Sequence, residues 1–329
     1  MDIVYKEMDH LNFVTALIAC LNIGFFSALI SRFTGASMTM LVFCCLMYVG
    51  GRPMETAGVM MTYLVFMKLT VYTQEHRMSY KHLRYFHGWK GLAPLAVIFL
   101  CLFVYPFLAV ALFVGIFLIE LLARLYDSIP ADERMSAKEI TPYAIVASAI
   151  TVIAFTLTYF IPDEYYYLIG GAVILLLCLF FWWIGNDRTR LADVWDKVIL
   201  AAFVPAGLFG FDLTDWLQDM KRTGETSRLT ASLPFIFIPA FFVTFVFANF
   251  AFGVFSLSGL ALTLFSTISI RLFGYYHVSE KGKFNPVALG VTVLAVICLF
   301  LTAPEPTGFS DLIDAALPPA AIPLDRFFN

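Results

Sequence analysis

Charge is the scarcest thing in this chain. Asp, Glu, Lys and Arg make up 14% of its 329 residues and hydrophobic residues 60%, where a soluble domain carries about 25% charged residues. Such a composition excludes an ordinary soluble fold. No stretch alternates strictly between apolar and polar residues, which sets aside a porin-type barrel. The start, Met-Asp-Ile-Val-Tyr-Lys-Glu-Met-Asp-His, lacks the basic region of a secretory signal, so the first apolar segment is expected to be retained. Cysteine is sparse and unpatterned. Cys20, Cys44, Cys45, Cys101, Cys178 and Cys298 all lie in apolar runs without a CxxC pair, so neither a zinc site nor a disulfide framework is indicated. GxSxG, HExxH, Walker A and GxGxxG are all missing, and no enzyme activity or cofactor is expected. His76, His82 and His87 share no helical face, which argues against metal or haem ligation. With a formal net charge of −3 and scattered basic residues, nucleic acid is not an expected partner.

What the chain has in abundance is long apolar segments. They fall at about 11–30, 36–50, 57–75, 91–105, 106–125, 143–161, 167–185, 198–212, 232–252, 255–274 and 285–303. The expected architecture is an all-α polytopic membrane protein. It would have roughly 9–11 transmembrane segments in two diverged repeats with short broken or re-entrant helices. Trp89, Tyr165-Tyr166-Tyr167, Trp182-Trp183 and Tyr275-Tyr276 sit where interfacial aromatic rings belong. Basic residues concentrate in 76–90, 126–141 and 186–197, whereas Pro162-Asp163-Glu164 is acidic. Positive loops stay cytoplasmic, which puts the acidic turn outside.

Two segments are too short to cross comfortably, since a span needs about 20 residues. Segment 36–50 follows Ser-Arg-Phe-Thr-Gly-Ala-Ser (31–37) and ends at Gly50-Gly51-Arg52-Pro53; segment 198–212 contains Pro205, Gly207 and Gly210. A weak internal echo accompanies them. Gly50 with Thr56-Ala57-Gly58 recurs, offset by 174 residues, as Gly224 with Thr230-Ala231-Ser232. This divides the chain into an N-terminal segment 1–10, repeat 1 at 11–125, a linking hairpin and loops at 126–197, repeat 2 at 198–303 and a Pro-rich tail at 304–329. Leu213, Trp216, Leu217 and Met220 form one face of an amphipathic stretch suited to the interface. The acidic Asp212, Asp215, Asp219 and Glu225 fit the same interfacial helix or a metal site. The tail, ending in Phe327-Phe328, could dock on the chain's own surface or on a partner membrane subunit.

Four groups of residues could carry chemistry. Lys68 lies inside the 57–75 span, and an intramembrane cation marks a polar cavity or ion path unless it snorkels to the surface. Arg32, Thr34, Gly35 and Ser37 surround an expected helix start at Gly35–Ser37, whose bare amides and dipole would suit an anion. An ordinary capped turn is the alternative. Glu120 stands four residues before Arg124, a spacing for a structural ion pair. Asn249 and the hydroxyls of Thr263, Ser266, Thr267 and Ser269 could line a path or simply bond to backbone. Thr56 and Thr230, at matching places in the echo, complete the candidate substrate-binding set.

The sequence Phe33-Thr34-Gly35-Ala36-Ser37, then Gly51-Arg52-Pro53, Thr56-Ala57-Gly58 and Met78-Ser79-Tyr80-Lys81 resembles the sulfite-exporter-like permeases, the TauE/SafE or toluene-sulfonate-uptake (TSUP) family. The likeness covers the first repeat moderately and the second faintly. The family's several glycines are reduced to Gly35, and its following proline is absent. The resemblance implies a secondary transporter of sulfite, thiosulfate or an organosulfonate, with no ATP-binding domain. A bacterial inner membrane is the expected location, and the lipid bilayer and a small anionic solute the expected partners. The alternative is a transport-inactive, TSUP-like accessory subunit of a larger membrane complex.

Overall fold

The computed structural model describes residues 2–75, 88–186, 195–219, 225–253, 257–274 and 285–302. The histidine-bearing loop, Met220, the Tyr275-Tyr276 pair and the tail lie outside them. Every regular element among the described residues is helical. In order they are α1 (Asp2–Thr34), α2 (Met38–Tyr48), α3 (Pro53–Glu75), α4 (Gly88–Val104), α5 (Pro106–Ser128), α6 (Ala137–Leu157), α7 (Asp163–Asn186), α8 (Trp195–Ala201), α9 (Phe203–Phe209), α10 (Thr214–Asp219), α11 (Glu225–Ser232), α12 (Pro234–Phe252), α13 (Leu257–Phe273) and α14 (Pro286–Thr302).

Five stretches are long and apolar enough to cross a bilayer: Leu17–Thr34, Pro106–Ser128, Ala137–Phe160, Asp163–Ile184 and Pro234–Phe252. Met38–Tyr48, Ala93–Val104, Ser258–Phe273 and Pro286–Leu301 are shorter apolar helices. With 23 residues, α3 has the length of a span but carries Glu55, Lys68 and Glu75. The outer faces are greasy: Phe103, Leu176, Ile153 and Leu301 are all largely exposed. Water would not tolerate that surface and lipid does. The chain is an all-α polytopic integral membrane protein.

Lipid tails are as apolar as leucine, so helix association here depends on close packing and internal polar contacts. Glycines provide the close approach. A Cβ on Gly24 of α1 would come within 2.6 Å of the Leu262 carbonyl on α13, and one on Gly207 of α9 within 2.5 Å of the Thr151 carbonyl on α6. Between α3 and α13, Tyr63 and Ser266 hydroxyls bond at 3.0 Å, and Ser266 reaches the Gly24 carbonyl at 2.9 Å. Thr263 and Thr267 bond the Gly259 and Thr263 carbonyls of their own helix at 2.7 Å, and Thr267 also reaches the Thr70 hydroxyl on α3 at 3.5 Å.

At the centre, α2 is packed against α1, α3, α7 and α14. Its 11 residues make a rod about 16 Å long, half of a bilayer core of about 30 Å. Nine of the 11 are buried. The expected segment 198–212 becomes α8 and α9, separated at Ala202. Pro205 cannot donate to the Ala201 carbonyl, so the helical ladder is interrupted there. Together α8 and α9 reach about 22 Å, again short of a crossing. Of the stretch 213–222 expected to suit the interface, Leu213, Trp216 and Leu217 are buried against the rest of the protein, and Trp216 meets the Phe181 ring edge-on at 5.1 Å.

Candidate functional site

The site is where two helix breaks meet. The first lies between α1 and α2, the second between α9 and α10. Each begins with a glycine in left-handed geometry, Gly35 at φ 76° and Gly210 at φ 71°, a conformation that ends a helix and that other residues adopt only under strain. The 175 residues separating these glycines nearly match the 174-residue offset of the sequence echo.

No water is available in the bilayer core for free backbone groups, so a broken helix there needs internal partners. Both breaks have them. At the first, the Gly35 amide donates to the Ser31 carbonyl at 2.8 Å, and the Ala36 amide to the Thr34 hydroxyl at 3.2 Å. The Thr34 carbonyl accepts from Asn285 Nδ2 at 2.9 Å. At the second, the Leu208 carbonyl accepts from the Tyr166 hydroxyl at 2.7 Å and from Thr158 at 3.3 Å, while Gly210 closes the α9 end on the Ala206 carbonyl.

The breaks then bond to each other. The Asp212 amide donates to Thr39 Oγ1 at 2.9 Å, and Ser37 Oγ to the Asp212 carbonyl at 3.4 Å. The Ser37 and Thr39 hydroxyls are 3.1 Å apart. The Asp212 carboxylate faces both ways. Oδ1 accepts from the amide and the hydroxyl of Thr214, the first residue of α10; Oδ2 forms a salt bridge with Lys68 of α3. Both ions are buried, Lys68 at 5% exposure and Asp212 at 7%. The ammonium also lies 5.9 Å from the centroid of Tyr72, within cation–π range. A buried ion pair is tolerable only when geometry is good and the remaining lone pairs are occupied. Thr214 and the Lys68 ammonium supply that occupancy.

Phe43, Phe209, Phe211 and Tyr166 form the wall beside the crossing. Phe43 meets Phe211, Phe209 and Tyr166 with centroids 5.0, 5.7 and 5.7 Å away. These rings fix α2 against the α9 end.

Lys68 and Ser37 therefore belong to one constellation, and the other expected residues are distributed elsewhere. Arg32 is turned to the far end of α13, where Nε donates to the Phe273 carbonyl at 2.9 Å. Thr34 and Gly35 finish α1. α2 begins at Met38 with Ser37 as its N-cap and no side-chain cap bond, within the helix start expected at Gly35–Ser37, whereas the Gly35 and Ala36 amides are occupied by the Ser31 carbonyl and the Thr34 hydroxyl. Thr56 is buried beside Gly51 in the α2–α3 turn. Asn249 is buried in the last turn of α12, with Nδ2 on the Phe245 carbonyl at 2.8 Å. Thr230 lies on α11, and its side chain is outside the described set.

Sequence reasoning missed Asp212, Thr39 and Thr214. Asp212 was grouped with Asp215, Asp219 and Glu225 as an acidic patch, but burial separates it from any surface. The available signal was Asp212-Leu213-Thr214 two residues after Gly210, a pattern in which an aspartate side chain bonds the backbone two residues on. Among the described residues no cluster of His, Cys, Asp and Glu could hold a metal ion. Comparison with protein-family models, curated proteins and solved structures gives no match.

Proposed function

We propose that this membrane protein is a secondary carrier for a small anion, with the crossing of the two broken helices as its binding site. The observation that carries the reading is the buried Lys68–Asp212 pair. Carriers commonly place their substrate where discontinuous helices meet near the bilayer midplane. Intramembrane ionisable groups mark solute paths by default. In the resting arrangement the Asp212 carboxylate is itself the anion at Lys68. An external oxyanion of similar size can replace it without stranding the ammonium, whereas a neutral solute cannot. Ser37, Thr39 and Thr214 are hydroxyl donors for such an oxyanion, and rocking of two repeats about the crossing would open it alternately to each side. Arg32, Thr34 and Gly35 then serve as framework. The choice of a sulfur oxyanion, of the sulfite, thiosulfate or organosulfonate class, rests on the TSUP resemblance of the first repeat, as does a bacterial inner membrane.

A transport-inactive accessory subunit of a larger membrane assembly is the second reading. It is favoured by the rings of Phe43, Phe209, Phe211 and Tyr166, which pack tightly beside the crossing. Flux in proteoliposomes separates the two. Saturable uptake of radiolabelled sulfite or thiosulfate that disappears in Lys68→Met supports the carrier. No flux of either anion, together with purification in fixed ratio with another membrane protein, supports the subunit.

A further inference from the structure

A groove on the lipid-facing side, remote in sequence from the crossing, has features of a built site. It lies between the first turns of α6 and α12, closed at one end by Tyr126 of α5, with a volume of about 490 Å³. That is within the range of roughly 300–1,000 Å³ usual for small-molecule sites. The two helices run in parallel from a shared base, since the Met135 amide bonds Ser232 Oγ at 3.0 Å just ahead of both. Short side chains at Ala144 and Pro239 open the space, and Ile145 and Val243 border it. Its two hydroxyls are not offered to a ligand: Thr141 bonds the Ala137 carbonyl and Ser148 the Ala144 carbonyl, each at 2.7 Å. The groove is therefore apolar in practice. From Ala137 to Ser148 it extends about 16 Å, close to half of a hydrocarbon core of about 30 Å.

Its base carries charge. The Arg134 guanidinium stacks on Tyr126 with its carbon 3.7 Å from the ring centroid, and Tyr126 is a wall of the groove. Arg134 Nη1 is buried with no hydrogen-bond partner, a costly state for a charged donor. Arg228 lies alongside, its Nε and Nη2 donating to the Arg134 carbonyl at 3.2 and 2.9 Å. The neighbouring carboxylate, Glu139, is committed to the start of α6, accepting from the Ser136 amide at 2.7 Å. Arg134 and Arg228 thus bring two cations to the foot of an apolar slot about one leaflet deep.

We propose that this groove holds one glycerophospholipid, with an acyl chain between α6 and α12 and the phosphate on Arg134 and Arg228. The phosphate pairs with the positive charge that the two arginines bring to the base of the groove. Arginine's fork suits a phosphate. The chain fills a slot whose length is that of a single leaflet. The proposal does not depend on transport.

Native mass spectrometry of the full chain in mild detergent, with added dioleoyl phosphatidylglycerol, tests it. Wild type should retain one lipid more tightly than all others. Arg134→Gln with Arg228→Gln should weaken that retention about tenfold, the scale of a lost charge-assisted hydrogen bond. Ala144→Phe, which fills the slot and leaves both arginines, should abolish it. Ile153→Phe, on α6 beyond the groove, should leave it unchanged. Equal retention in wild type, the arginine double variant and Ala144→Phe would overturn the proposal, as would the absence of a tightly retained lipid in wild type.

Discussion

Removing one ion from the crossing should damage the protein more than removing both. Losing one partner of a buried pair costs about 3–5 kcal/mol, because the other charge is left without compensation, while apolar or neutral replacement of both is often nearly neutral. The contacts at Asp212 refine that expectation. Lys68→Met leaves a carboxylate that still accepts twice from Thr214, so it should fall near the lower figure. Asp212→Ala strands the ammonium and also removes the acceptor of the Thr214 amide and hydroxyl, adding about 1 kcal/mol. Asp212→Asn keeps an oxygen for Thr214 and loses only the charge. Lys68→Met with Asp212→Asn should return to within about 1 kcal/mol of wild type, a coupling of at least about 2 kcal/mol. Unfolding in mixed micelles of increasing dodecyl sulfate, followed by tryptophan fluorescence, gives the four free energies of the cycle. Additive single effects, with the double variant the least stable, would refute the reasoning, since they would mean that the two ions do not feel each other.

Other consequences are local. Gly210→Ala places a side chain at φ 71° against Met60; it should cost about 1–3 kcal/mol, read as a lower midpoint in the same unfolding assay. Tyr166→Phe leaves the Leu208 carbonyl with Thr158 alone and should cost about 1–3 kcal/mol, whereas Tyr159→Phe, on an exposed ring, should change little. Gly207→Val drives a methyl group into the Thr151 carbonyl and Ala154, so α9 should separate from α6 and the purified protein should lose its single peak in size-exclusion chromatography.

The membrane class was legible from composition, and so were both breaks. Gly35 interrupts one apolar run, and Pro205, Gly207 and Gly210 another, in stretches too short to cross. Lys68 stood out as a lone cation inside a span. Its partner was hidden by distance: Asp212 follows 144 positions later, and helical periodicity relates only residues a few turns apart. Asp212 also sits ahead of Asp215 and Asp219, which makes it look like part of a solvated face. A glycine between two helices can finish one or precede the other; the Ser31 contact makes Gly35 the end of α1, and Ser37 opens α2. The continuation of α1 back to Asp2 was likewise hidden, because its first turns lack the apolar character of the span. The groove at Tyr126 depends on how α6 and α12 lie together, and no single segment reports that.

Disulfide trapping tests the meeting of the two breaks most directly. The 2.9 Å bond between Thr39 Oγ1 and the Asp212 amide limits their Cα atoms to at most about 6.8 Å, the upper edge of what a disulfide spans. In a variant with the six native cysteines replaced and Lys68→Met included to remove the stranded charge, Thr39→Cys and Asp212→Cys should cross-link on mild oxidation in native membranes. The joined peptides would come from α2 and the α9–α10 break, 173 residues apart. Failure of that pair to cross-link under conditions that close a control pair between α1 and α13 would contradict the account.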